Sequence, residues 1–174
     1  FRQRLGKPGR TVSANVFYSF SNNNLDGFNQ SYTDNDSSQT GDEEIVNQRI
    51  DQNSRSSSVN VRAVYTEPLG NDFYLEANYS YSWSRSSSFK NTYDSNPLNY
   101  ASGADSGHLI YDPNGEVFNT NYSNSIINNN QNHSVGANFM YQKDKIRAQV
   151  GAAFRPTITD NETNGEKYES TVYN

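Results

Sequence analysis

Asp72-Phe73-Tyr74-Leu75-Glu76-Ala77-Asn78-Tyr79-Ser80-Tyr81-Ser82-Trp83-Ser84-Arg85 is the stretch that decides the fold. From Phe73 to Trp83 every odd position is apolar or aromatic, while Glu76, Asn78, Ser80 and Ser82 fill most even ones. Side chains alternate across a strand with period 2, so the stretch reads as one long two-sided strand. At ~3.3 Å per residue and a tilt of ~40°, Phe73 to Trp83 covers roughly 25 Å of height, about the apolar band of an outer-membrane barrel.

The same alternation recurs on both sides of it. Val12, Ala14, Val16, Tyr18 and Phe20 alternate with mostly polar residues after the Gly6-Lys7-Pro8-Gly9 turn. Val59, Val61, Ala63 and Tyr65 lead into Glu67-Pro68-Leu69-Gly70-Asn71. Val135, Ala137, Phe139 and Tyr141 precede the turn Gln142-Lys143-Asp144-Lys145, and Ile146, Ala148, Val150, Ala152 and Phe154 follow it. Between these runs lie long polar stretches, Asn22 to Arg55 and Ser86 to Gln131, and the chain turns polar again after Pro156, with Ser170 to Asn174 opening a further strand. Short alternations near Phe28 to Tyr32 and Ile45 to Ile50 extend the flanking strands. Around Asp112-Pro113-Asn114-Gly115, Leu109 to Tyr111 and Glu116 to Phe118 read as a small hairpin of their own. Short turns alternating with long loops, and no helical period, give an all-β, antiparallel up-and-down meander forming part of a large transmembrane β-barrel.

Composition supports that class. Only 32% of the 174 residues are hydrophobic, yet there are 13 Tyr and 9 Phe, and they cluster in the alternating runs. Disorder would scatter them. The net charge of -5 and dispersed Lys and Arg argue against a nucleic-acid partner. Without cysteine there is no thiolate metal site. No apolar helix is long enough to span a bilayer, so a membrane element here consists of strands.

Three details favour lipid over a protein core as the environment of the apolar face, and a fourth, the absence of ionisable residues from that face, is what either environment enforces. The runs exceed the ~5 to 6 residues of an ordinary strand. They are bordered by aromatics: Tyr65, Phe73 and Tyr141 beside the short turns, and Tyr18, Phe20, Tyr81, Trp83 and Phe154 at the far ends. Such girdles suit the interface between hydrocarbon and water. Residues in the middle are small, and the ionisable Arg62, Glu76, Arg147 and Arg155 fall on the other face, with Asn78 and Gln149. These six are the candidates for the lumenal wall. The rival architecture is a secreted or surface β-sandwich that binds carbohydrate or protein.

Arg4-Leu5-Gly6-Lys7-Pro8-Gly9-Arg10-Thr11-Val12-Ser13, and Tyr65-Thr66-Glu67-Pro68-Leu69-Gly70 leading into Phe73-Tyr74-Leu75-Glu76, resemble the barrel of TonB-dependent outer-membrane receptors. More narrowly, they are similar to an outer-membrane β-barrel family in which such a Lys- and Gly-rich turn and a TEPLG turn recur. The resemblance implies a roughly 22-stranded barrel plugged by an N-terminal domain, importing scarce nutrients with energy delivered by TonB. Residues 1–174 are then one segment of that wall, with too few strands to close and without the plug; the implied partners are the bacterial outer-membrane bilayer, the rest of the barrel, the plug and TonB.

Other motifs carry less. Asp34-Asn35-Asp36 and Asp42-Glu43-Glu44 offer oxygen ligands for calcium, but not at EF-hand spacing, so a solvated acidic loop is expected. Neither His108 nor His133 lies in a catalytic motif, so neither an enzyme nor a cofactor is expected. Phe28, Tyr32, Tyr93, Tyr100, Tyr111 and Phe118 are flat enough for a sugar or peptide ligand, or serve as small loop cores.

Overall fold

The computed structural model describes residues 1–34, 43–95 and 111–173, the side chains of 32–34, 43 and 44 excepted. Asn35, Asp36 and Asp42 of the calcium motif, His108, Tyr100 and Leu109-Ile110 of the expected loop hairpin lie outside the described residues.

Period-2 segments pair with their neighbours in sequence, and the result is one antiparallel sheet. Its strands are β1 (Arg2–Arg4), β2 (Thr11–Asp34), β3 (Glu43–Gly70), β4 (Phe73–Asp94), β5 (Val117–Phe118), β6 (Asn124–Lys143), β7 (Ile146–Phe154), β8 (Pro156–Thr163) and β9 (Glu166–Tyr173). The order is that of the chain, β1-β2-β3-β4-β6-β8-β9, with β5 on the far end of β4 and β7 beside β6. No second sheet and no helix occurs among the described residues, which removes the sandwich. The sheet is not closed: β1 and β9 each have one hydrogen-bonded neighbour.

The short alternations Phe28 to Tyr32 and Ile45 to Ile50 extend β2 and β3 as expected, and much of the polar sequence around them is strand as well. β2 and β3 pair without interruption from Thr11↔Thr66 to Asp34↔Glu43, and β4 stays in register with β6 to Lys90↔Asn124. Beyond the apolar zone both faces are polar, so alternation vanishes while the backbone ladder continues. β7 and β8 are one strand in effect: Val135↔Phe154 and Asn132↔Thr157 share a register, and the gap falls at Arg155, before a proline that cannot donate to the ladder. The polar residues after Pro156 therefore complete a hairpin, β8-β9. Its turn is Asn164-Gly165, both at positive φ (50° and 87°), the pairing that a two-residue type I′ turn favours. Of the expected loop hairpin, Val117 and Phe118 pair with Asp94 and Tyr93, while Leu109 and Ile110 lie outside the described residues.

Candidate functional site

Register places every alternating apolar run on one face. Val12, Tyr65, Ala77, Ala137 and Ala152 stand in one hydrogen-bonded row, and Ala14, Ala63, Tyr79, Val135 and Phe154 in the next. This apolar face is the exposed one. Val16 is 72% exposed, Ile146 65% and Val150 69%, and no hydrophobic residue among those described is buried. Along β6, Val135, Ala137 and Phe139 are exposed while Gly136 between them is buried and Asn138 and Met140 are half-buried. Such an inverted sheet is unstable in water unless something apolar covers it.

The shape of the band identifies the cover. Val12 opens the band on β2, and its row ends at Ala152 on β7, yet the β7 band opens six residues earlier, at Ile146. Phe20 closes the band on β2, and its row runs through Ser57, Arg85 and Asn129 to Asp160, whereas the band on that strand closes six residues earlier, at Phe154. Both borders slip by six residues over four strand steps, so they are parallel. The slip is about 1.5 residues, or ~5 Å, per ~4.8 Å step. Strands are thus inclined ~45° to the band, the steep end of the range for transmembrane barrels. A slab of fixed thickness crossing tilted strands produces this geometry.

At the borders stand the expected aromatics. Phe73 packs on Tyr141 and Phe139 with ring centroids 4.9 and 5.3 Å apart, and Phe154 on Tyr173 at 6.1 Å. Trp83 donates its indole N–H to Asn129 Oδ1 at 2.8 Å, at the upper border where the wall turns polar. Tyr18, Phe20, Tyr65 and Tyr81 share that face. His133 pairs with Tyr81 and its Nδ1 lies 3.1 Å from the Tyr79 hydroxyl, so it occupies the band's upper border.

The opposite face holds all six lumenal candidates, though not as one cluster. Arg62 stands between Asn15 and Ser80. Glu76 accepts a 3.1 Å hydrogen bond from Asn138 Nδ2. The Asn78 and Asn138 side chains lie over Gly136 and Gly151, where any Cβ would collide with them. Arg147 donates to Gln142 Oε1 at 3.0 Å, and Gln149 pairs with Met140. Arg155 sits at the break between β7 and β8. Higher up, polar pairs continue the wall: Ser19–Ser58 at 2.7 Å and Ser54–Ser88 at 3.2 Å. At the short-turn end Arg2, Arg4, Tyr74, Gln142 and Arg147 line one recess of about 660 Å³. Side chains from β1 and β7 meet there although four strands separate them, so the sheet curls toward its polar face.

One device joins residues of two turns that are far apart in the chain. Arg10 clasps Glu67 through two hydrogen bonds, Nε to Oε2 at 2.7 Å and a second to Oε1 at 2.8 Å. Lys7 reaches Glu67 at 3.5 Å and the Pro68 carbonyl at 2.5 Å. Gly9, at φ 89°, lies where a Cβ would touch Pro68 and Tyr74 at 3.4 Å. The two turns that carry the family resemblance are therefore halves of one interlock. Arg10, and second the Tyr65 hydroxyl, pull the Glu67 carboxyl down to about 2.

At the loop end, Glu116 is held by Arg49 at 2.6 and 3.1 Å and by the Tyr111 hydroxyl. Arg49 also lies 4.5 Å from the centre of the Tyr93 ring. Phe28 packs on Tyr111 and Tyr93 on Phe118, two partly exposed ring pairs that tie residues 111–118 to β2 and β4. Arg49 depresses the Glu116 carboxyl, while burial first and Glu116 second push the Tyr111 phenol up to about 12. Among the described residues no group of three His, Cys, Asp or Glu side chains is placed to hold a metal.

The family model for an outer membrane protein beta-barrel family matches residues 3–173. The chain belongs to that family. A search of curated proteins finds no match. As a member of the outer membrane protein beta-barrel family, the chain resides in the bacterial outer membrane, and the cover over its apolar face is the lipid bilayer.

Proposed function

We propose that this chain is a stretch of the barrel wall of a TonB-dependent receptor that takes up a scarce nutrient, with no catalytic step of its own. The observation that carries the reading is the interlock of Lys7, Arg10 and Glu67, which makes one unit of the two turns resembling that receptor class. Support also comes from the wall's dimensions. A strand of 28 residues such as β3 rises far above a band that occupies only Val59 to Tyr65 of it. A wall this tall, polar inside and open at both edges, needs further strands to close around a lumen, since single-chain barrels need at least ~8. A plug filling that lumen would rest against Arg62, Glu76 and Asn78.

The test is genetic and then functional. The full-length gene product should carry an upstream plug and a TonB-contacting segment, and its host should lose uptake of one scarce nutrient when either the gene or TonB is deleted. A gene product without those segments, whose deletion phenotype is indifferent to TonB, would overturn the receptor reading and leave a barrel of another kind.

A further inference from the structure

We infer that Arg55 and Arg85 form a binding site, on the lipid side of the wall, for the phosphate headgroup of an outer-leaflet lipid. The inference needs only the outer-membrane location and not the receptor reading. Arg85 follows Trp83 by one outward-facing position, and Arg55 follows Val59 by two. Both face out with the apolar band. In the ladder they are diagonal neighbours, since Ser57 pairs with Arg85 and Arg55 with Ser87. The slip of about 1.5 residues per strand step that tilts the band almost cancels the two-residue offset between them. The two positions therefore stand at nearly one height on adjoining strands, just above the aromatic girdle, and both side chains line one recess.

That height is where headgroup phosphates meet the hydrocarbon border, and the pair has the chemistry to hold one. Like charges on neighbouring strands repel. Among the described residues neither arginine has an ion-pair partner. The outward-facing carboxylates Asp26 and Asp51 stand roughly three to four residues higher once the tilt is counted, while Asp160 shares Arg85's ladder row beyond Asn129 and, with Glu162, Glu169 and Lys167, lines a second recess that Arg85 borders on its other side. A phosphate set between the two forks accepts hydrogen bonds from both and relieves the repulsion. The pocket fits an amphiphile: a recess of about 500 Å³ is lined by Arg55, Arg85, Ser57 and Asn53 on its polar side and by Phe20, Phe89 and Ile127 on its apolar side. A soluble anion would use the arginines alone; a lipid uses both walls.

The full-length protein, purified from outer membranes and stripped of lipid in non-ionic detergent, is titrated with phosphatidic acid, the matched diacylglycerol and inorganic phosphate, and bound lipid is counted by native mass spectrometry. Phosphatidic acid should bind, and diacylglycerol and inorganic phosphate should bind at least tenfold more weakly, about the worth of a charge-assisted contact. Arg55→Gln with Arg85→Gln should weaken phosphatidic acid by about tenfold or more, and the lysine pair, which keeps the charge and loses the fork, by less. The lumenal pair Arg62→Gln with Arg147→Gln should leave binding unchanged. If the double glutamine variant does not fold, each single variant should still weaken binding. Equal binding by variants and parent, equal binding of diacylglycerol, or an equal loss in the lumenal pair would overturn the site.

Discussion

Glu67 and Gly151 show how much single residues settle here. Glu67 accepts from Arg10, Lys7 and Tyr65 on the turn side of the aromatic border. Its folded-state value of about 2 lies below the ordinary 4.5, so ionisation favours the folded state. The contribution is complete above about 4.5 and fades as pH falls toward 2. Glu67→Gln should therefore lower the denaturant midpoint at neutral pH and flatten the loss of stability through that acid window, read by urea titration of the detergent-held protein at a series of pH values. Gly151 acts by absence: an added Cβ would meet the Ala137 carbonyl at 2.8 Å and collide with the Asn138 amide. Asn138 would have to leave Glu76 or the strands would have to part. Gly151→Ala should cost ~1 to 3 kcal/mol, the usual penalty for overpacking, measured by the same titration. Neither role was legible in the sequence. Arg10 and Glu67 are 57 residues apart, and a glycine in a strand does not announce which side chain lies over it.

At the level of strands, legibility followed the environment. Phe73 to Trp83 and its neighbours could be read because a bilayer outside and water inside force alternation on each side chain. Within Asn22 to Asp34 and Arg55 down to Glu43 only the short alternations Phe28 to Tyr32 and Ile45 to Ile50 could be read as strand; the rest could not, because both faces are polar there and ladder hydrogen bonds leave no imprint on composition. The β8-β9 hairpin did carry a signal, Asn164-Gly165, which the polar surroundings and Pro156 masked. The belt's slant belongs to no strand; it exists only in the register between them. A paired substitution distinguishes the two faces. Ala63 sits near mid-band on the outward face, and Ser82 faces inward between Asn60 and Asn132. Ala63→Arg should destabilise folding into phosphatidylcholine vesicles by ~2 to 4 kcal/mol, and Ser82→Arg by under ~1 kcal/mol. Equal penalties would mean that both faces meet the same medium.

For the molecule as a whole, the turns and the slant together dictate how the wall stands in the membrane. Three tight connections lie at one end of the sheet, Leu5 to Arg10, Gly70 to Asp72 and Asp144-Lys145; the strand ends that flank 35–42 and 95–123 lie at the other, together with one tight turn, Asn164-Gly165. Barrels of the outer membrane put short turns in the periplasm and long loops outside. The vertical order agrees with that choice, because the tall polar part of β2, β3 and β4 and the arginine pair lie on the loop side of the band, where outer-leaflet headgroups sit. The sequence has no cysteine, so an introduced thiol in this stretch reports on its own position. Thr120 is exposed beside the β4–β6 connection and Lys145 is exposed in a short turn. In intact cells Thr120→Cys should react with a membrane-impermeant maleimide while Lys145→Cys reacts only after the outer membrane is permeabilised. The reverse pattern would turn the wall upside down, and it would also move Arg55 and Arg85 to the inner leaflet, where the phosphate they hold would come from a different lipid.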